Sequence, residues 1–441
     1  MDHPPARRKR VATLAVALGM TLGGLVCGSA HAHEGDPRVW RIDFPLAAQG
    51  QAWVVDEMGL LLEQPQRDFL WLCDDGLSLT AGLRAAAPVS ADGRVWLTAT
   101  RERLYRSEDA GCRFEPVVGP LADHFIGPVL PHPTRPEVVL AATASLAVVN
   151  DVFRTEDGGR TWRGAGLALP SPVRSMVRAP SAPATIYLSH GSGAARSTDG
   201  GARFEALAWQ FEGAAPRMDE VRLLGVSPDD PHTVFAALEL FPDGHLAVSR
   251  DGGATWRVLL TTPGDVPESL AAAPGGRLWL SGPFTGLWRS ADGGVHWENL
   301  APPGTLGCLA VHPQTGDLWG CLRGNPLPWV IGRSADAGAT WQAALPAYSA
   351  IAGGLDCPAA SPTGQICGAQ CDPADRQCQG AADGGAPADR GPGEDGGEVS
   401  RARVGSGCRT IGTGRGDDWV FLCLLLLFRR DRRRRSAIQG S

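Results

Sequence analysis

The chain has 441 residues, a net charge of −6, 57 glycines and 35 prolines, a composition that favours turns and short strands over long helices and leaves room for one large β domain with accessories. Four bases and Asp2 give residues 1–32 a charge of +3, and six arginines with Asp431 give residues 429–441 a charge of +5, so the body between them carries −14. A body that acidic repels phosphate backbones, which argues against a nucleic-acid partner.

The first segment, "MDHPPARRKRVATLAVALGMTLGGLVCGSAHAHEGDP", sets a basic stretch (Arg7, Arg8, Lys9, Arg10) before an apolar run from Val11 to about Val26 and a small-x-small site at Ala30-His31-Ala32. This is the pattern of a secretory signal over residues 1–32, with His33 as the new N-terminus. Lipidation at Cys27 is disfavoured because Val26 precedes it where a small residue is wanted.

A short motif then recurs: "RSEDAGCRF" around Asp109, "RTEDGGRTW" around Asp157, "RSTDGGARF" around Asp199, "VSRDGGATW" around Asp251, "RSADGGVHW" around Asp292 and "RSADAGATW" around Asp336. The successive spacings are 48, 42, 52, 41 and 44 residues. A period in the forties with strand-like sequence points to a β-propeller, whose small sheets cannot bury their faces alone. Upstream of each motif two apolar strands meet at a Pro/Gly/Asp-rich turn, as in "LPHPTRPEVVLAA" (130–142) and "AVHPQTGDLWGC" (310–321). A blade therefore reads strand a, Pro turn, strand b, loop, strand c, Asp turn, strand d. A further copy is hidden in "GLLLEQPQRDFLW" (59–71), where Pro65 stands in place of the acid and lies 44 residues before Asp109. The reading is all-β: a seven-bladed propeller of four-stranded antiparallel blades over residues 33–350.

The motif resembles the Asp-box, or BNR repeat, of sialidases, sortilin-type receptors and the photosystem II assembly-factor family of seven-bladed propellers. The residues suggest its logic. Ser290 and Asp292 offer oxygens to backbone N–H groups, Gly294 supplies positive φ, and Trp297 folds back as an apolar lid. The six acids Asp109, Asp157, Asp199, Asp251, Asp292 and Asp336 are thus structural. Catalytic carboxylates of a glycosidase must converge to within about 5–9.5 Å, whereas equivalent positions in successive blades spread around a ring. Arg106, Arg154, Arg196, Arg289 and Arg333, each just before the Ser or Thr of a motif, are expected to bond the neighbouring blade. The resemblance to sialidases would imply an Arg-Ile-Pro-type motif and a tyrosine nucleophile; "WRIDFP" (40–45) breaks the former, and Tyr105 and Tyr187 sit in or beside repeated strands. No catalytic residue, metal or cofactor is expected; a copper role for His33 and a calcium role for "CDDG" (73–76) lack supporting ligands.

Export makes disulfides the expected state of cysteine. If Val311 pairs with Leu318, Cys308 faces Cys321 in one hairpin. Cys73 and Cys112 leave open a bridge between neighbouring blades. Cys357, Cys367, Cys371 and Cys378 fall within 22 residues, suited to small disulfide loops in a Cys-rich segment and linker (351–406); a zinc site would want paired Cys-x2-Cys knuckles. Residues 380–398 are a Gly-rich stretch that cannot build a core, so a largely disordered tail is expected. The end, "GSGCRTIGTGRGDDWVFLCLLLLFRRDRRRR", resembles the myxobacterial C-terminal sorting tail (MYXO-CTERM), which implies lipid attachment at Cys408, processing within 407–441 and display on the cell surface or outer membrane of a Gram-negative cell. The apolar run Trp419 to Phe428 is too short to span a bilayer.

Antiparallel blades put the Asp and Pro turns on one face and the b-to-c and d-to-a loops on the other. Those loops vary in length, which makes them the expected binding surface; Arg101, Arg103, Asn150, His190, Arg217, Asp219, Glu239 and Trp329 are the candidate ligand residues. The expectation is a noncatalytic binding or scaffold module for a protein or glycan at the cell surface, membrane-associated through its tail only. The alternatives are a glycan-directed hydrolase or lectin and, third, an assembly factor similar to the photosystem II family.

Overall fold

The computed structural model describes residues 39–378 apart from 46–47, 58, 67, 74–82, 123, 192, 214–219, 241–242, 285, 324–327, 368–370 and 373–376. The signal segment, the Gly-rich linker and the tail with Cys408 lie outside the described residues. Within them the chain forms seven antiparallel blades, each running a-b-c-d in strict chain order. The a strands, which face the axis, are Val39–Asp43, Leu83–Pro88, Ile126–Pro131, Val173–Arg178, Glu220–Val226, Ser269–Ala273 and Thr305–Val311. The hidden repeat is blade 1, whose strands c and d (Gly59–Glu63, Phe69–Cys73) pair from Gly59 opposite Cys73 to Glu63 opposite Phe69 across the Pro65 turn.

Strand b is buried along its whole length in blades 1, 2 and 3, while the outermost strands Glu115–Pro116 and Arg163–Gly164 are exposed. The reason is stacking: both faces of a blade are covered by its neighbours. Seven hydrophobic clusters result, one in each gap between successive blades, and the gap between blades 7 and 1 holds Val39, Val54 and Trp71 against Trp319, Ile331 and Cys321. No blade could bury this surface alone.

The Asp turns form as their residue types dictate. In blade 6, Ser290 Oγ donates to Asp292 Oδ1 at 2.9 Å and accepts the Gly294 N–H at 2.9 Å. Asp292 Oδ1 accepts the N–H groups of Val295 and His296, and Trp297 Nε1–H closes onto the Gly294 carbonyl. The first Gly donates its N–H to the Pro turn of its own blade, as Gly252 does to the His232 carbonyl and Gly158 to that of Glu137.

The same turn also receives the preceding blade. Arg106 donates to the Gly158 carbonyl, Arg196 to that of Gly252, Arg250 to that of Gly293 and Arg289 to that of Ala337. Each is one blade forward, at the first position after the Asp. At the second position a leucine of the preceding blade lies where a Cβ would be: Leu97 against Gly159, Leu140 against Gly201, Leu207 against Gly253, Leu259 against Gly294 and Leu287 against Gly338. Arg154 instead pairs with Glu156, and Arg333 reaches Gln342 in its own blade, because blade 1 offers no Asp turn ahead of it.

The closure of the ring is different. Phe44 packs edge-on against His312 and Trp319, and His312 Nε2–H donates to the Gly50 carbonyl at 2.8 Å. His312 Nδ1 accepts the N–H groups of Gln314 and Thr315, which fixes the proton on Nε2. Beyond blade 7 the chain returns along blade 1, where Gly353–Gly354 adds a fifth, parallel strand to strand d. A short helix, Pro362–Ile366, follows, capped by Ser361. Thr363 Oγ1 donates to the Gly111 carbonyl in the Asp turn of blade 2.

The cysteine pairing corrects part of the expectation. Cys308 and Cys321 do bond within their hairpin, opposite one another in register. Cys73 and Cys112 do not bond each other: Cys73 bonds Cys367 and Cys112 bonds Cys357. Cys357 and Cys367 therefore close no small loop of their own. The returning strap brings them to the rims of blades 1 and 2, a proximity that exists only in the closed ring. The backbones of Cys371 and Cys378 pair in a two-residue ladder; their side chains lie outside the described residues.

Candidate functional site

The meander places every Asp and Pro turn at one end of the axis and every b-to-c and d-to-a loop at the other. At the loop end the a strands open into a channel of about 1190 Å³ lined by Trp40, Arg84, Arg101, Phe125, Leu146 and Arg174 among others. Three of these come from the first turns of a strands: Trp40 and Arg84 are second in theirs, as is Arg174. The b-to-c loop of blade 2 bonds the start of blade 3, where the Ile126 N–H donates to the Arg101 carbonyl. The next loop joins there as well: the Phe125 N–H donates to Ser145 Oγ and the Ala144 N–H to the Phe125 carbonyl. Arg101, Phe125 and Leu146 thus form one continuous rim.

The rim is amphipathic. Leu146 is 86% exposed, Val149 60%, Val148 49% and Phe125 46%, an arrangement soluble surfaces seldom expose without use. Beside them Arg84 lies over the Trp40 ring at 4.8 Å. Burial, and then the nearby Arg101 charge, hold the Arg84 guanidinium below its ordinary value, with Glu57 opposing. Three acids near the mouth serve arginines: Glu220 pairs with Arg174 at 3.1 Å, Glu239 with Arg222 at 3.3 Å and Glu268 with Arg323 at 2.6 Å. Arg222 also donates to the carbonyls of Pro267 and Glu268, tying the loop before blade 6 to blade 5.

The predicted ligand residues have different fates. Arg101 reaches the channel mouth, and Arg103 is exposed on the same loop, where Thr100 Oγ1 accepts its N–H. Glu239 is on the loop face but held by Arg222. His190 is half-buried with Nδ1 at 3.1 Å from Ser171 Oγ, and burial pulls its pKa down. Asn150 is fully buried; its amide accepts the Ser145 N–H and donates to the carbonyls of Ser145 and Val148. It is the fold of the loop that raises Leu146 and Val148. Trp329 is 5% exposed and stacks on Trp341, in the core between blades 6 and 7. Arg217 and Asp219 lie outside the described residues.

Sequence reasoning missed Arg84, Arg174, Phe125 and Leu146. The available signal was a charge inside an apolar a strand, in "LRAAAP" and "VRSMVR", which has to face the channel because both blade faces are covered. Among the described residues no group of three or more His, Cys, Asp and Glu side chains could hold a metal.

No family model matches the sequence, and no curated protein matches it. Solved structures do resemble the fold. A GH74 enzyme from Niastella koreensis superposes with a TM-score of 0.51 at 17% identity, over 70% of this chain and 54% of that one. YCF48 from Cyanidioschyzon merolae gives 0.50 at 14% identity, over 65% of this chain and 93% of that one. The extracellular domain of a putative hybrid two-component system from B. thetaiotaomicron gives 0.48 at 14% identity, over 67% and 38%. The chain spans about half the length of the GH74 enzyme. Identities this low carry the fold alone: the likeness to the first two chains is one of fold and says nothing of activity, substrate or partner.

Proposed function

We propose that the protein is an exported, noncatalytic binding or scaffold propeller that holds a protein or glycan partner over the loop-face mouth of its channel and is kept at the cell surface by its C-terminal tail. The amphipathic rim of Arg101, Phe125, Leu146, Val148 and Val149 carries this reading, because exposed apolar side chains beside an arginine are what a partner can cover and pair with. The ion-paired acids around the mouth weigh toward binding over hydrolysis, since a glycosidase needs carboxylates committed to substrate. The repeated Ser-x-Asp-x-Gly turn keeps the resemblance to Asp-box propellers, with the acid in a structural part. Three disulfides accord with an oxidising compartment.

Photo-crosslinking tests the face. A benzophenone amino acid at Leu146 is expected to capture a surface partner in the native cell, and the same residue at Ser181, exposed on a Pro turn, is not. Adducts from Ser181 alone would place the partner on the opposite face. Tethering is tested separately: Cys408→Ser is expected to release the protein from the surface or leave its C-terminus unprocessed, and mass spectrometry of surface protein intact through Arg435 would rule out processing.

A further inference from the structure

The Pro turns recur as regularly as the Asp turns, yet nothing in the loop-face reading uses them. Six prolines, Pro45, Pro88, Pro131, Pro133, Pro136 and Pro313, converge at the turn end of the axis around a cavity of about 630 Å³ between blades 7, 1, 2 and 3, which shares Arg41, Asp43 and Leu130 with the channel wall. Proline has a fixed φ and no N–H, so a wall of them is rigid, apolar and free of stray donors. Phe44 adds an aromatic wall, held by its edge contacts to His312 and Trp319 at 4.7 and 5.5 Å. A cavity of this volume suits a drug-sized ligand, for which pockets of about 300–1,000 Å³ are usual.

The polar groups in the wall are few. Arg41 and Asp43 line it but satisfy one another at 2.6 Å. His132 accepts the N–H groups of Thr134 and Arg135 on Nδ1, each at 3.2 Å, so its proton sits on Nε2. Burial, then the charges of Arg178 and Arg135, push its pKa down to about 4, so at neutral pH the ring is an uncharged donor in a fixed tautomer.

We propose that this pocket binds an uncharged, ring-bearing small molecule with one hydrogen-bond acceptor, a carbonyl or hydroxyl oxygen placed to meet His132 Nε2–H. A flat ring covers proline and Phe44 surface without reorganising it. A charged ligand would lose its hydration with no unpaired counter-charge among the lining residues, since Arg41 and Asp43 are already committed to each other and Arg178 and Arg135 lie behind the wall.

Ligand-observed NMR and thermal shift on the purified propeller test this with 2-naphthol and 1-tetralone, using 2-naphthoate and 2-naphthylmethylamine as charged counterparts and naphthalene as the counterpart without an acceptor. The neutral oxygen-bearing probes are expected to bind saturably and raise Tm, with the charged ones weaker by about tenfold. His132→Asn keeps an acceptor for the turn N–H groups but removes the ring donor; it is expected to weaken 1-tetralone by about fivefold while leaving naphthalene unchanged. Gln314→Trp and Pro133→Trp, both at exposed rim positions, should fill the pocket and abolish binding of every probe. Equal binding of charged and neutral probes, binding that survives both tryptophan variants, or no saturable binding up to the solubility limit overturns the proposal. The loop-face change Leu146→Ser should leave these probes unaffected, so the result is independent of the crosslinking at the other end of the axis.

Discussion

Blade 1 and blades 2–7 solve the same packing problem with different parts. From blade 3 onward each Asp turn receives a leucine of the preceding blade on its second glycine, and four of them take an arginine bond on the residue before it. One short motif thereby folds its own hairpin and docks the previous blade. Blade 1 has Pro65 in place of that motif, and here the ring is closed by Phe44, His312 and a strap with two disulfides. All four meander strands of blade 1 come from the start of the ring and all four of blade 7 from its end, so among the described residues the strap supplies the one sheet contact linking the two ends.

The largest expected effect tests the closure. In the chain-entropy account, replacing Cys73 and Cys367 by Ser should cost about 4 kcal/mol, against roughly 3 kcal/mol for Cys308 and Cys321, because with the Cys112–Cys357 bridge intact the strap bridge still closes a loop of about 50 residues against about 14 in the hairpin. Urea unfolding of the two double variants measures both, and a hairpin variant that loses more than the strap variant would mean that closure does not depend on the strap. Next is Gly253→Ala. Its φ of +91° is combined with a Cβ 2.7 Å from Leu207 Cδ1, so a loss of about 2 kcal/mol is expected. Gly264→Ala, at φ +71° with open space around it, should lose only about 1 kcal/mol. Adding Leu207→Ala to Gly253→Ala should recover part of the clash; strict additivity of the two would deny the docking role of that glycine.

Asp251→Ala removes the acceptor for Ser249, Ala254 and Thr255 and is expected to cost about 1–2 kcal/mol with crosslinking at Leu146 unchanged. Lost crosslinking at unchanged stability would make the acid functional.

The smallest effects appear as pH dependence. Burial raises the carboxyl of Asp251, but bonds from the Thr255 hydroxyl and N–H, with Ser249, outweigh it and hold the pKa at about 2. The stability this contributes is present above the ordinary value of 3.8 and is lost as pH falls from there toward 2. His132 acts in a higher window. Burial, then Arg178 and Arg135, with Arg154 adding and Glu137 opposing, take it from 6.5 to about 4. The unfolded chain therefore takes up a proton first, and stability declines as pH falls from 6.5 to about 4. Thermal melts of His132→Asn should reduce the upper decline, to which half-buried His190 also contributes, and keep the lower one; Asp251→Asn should reduce the lower alone.

The sequence by itself determined the number of blades and the places of their turns. Each of those depends on partners within a few residues: Ser290, Asp292, Gly294 and Trp297 satisfy one another locally, and a hairpin register brings Cys308 opposite Cys321. Even blade 1 was legible, because strand spacing survives the loss of the acid. Tertiary structure alone decided the rest. Cys73 meets Cys367 across 294 residues and Cys112 meets Cys357 across 245, contacts that only ring closure creates. Trp329 and Asn150 have the residue types of a binding loop, but one is covered by Trp341 and the other spends its amide inside its own loop. Arg84 lies in an apolar strand, yet the channel gives that strand a third, polar surroundings. Whether a side chain in a propeller meets a neighbouring blade, the axis or solvent is set by the ring as a whole, and no local pattern encodes it.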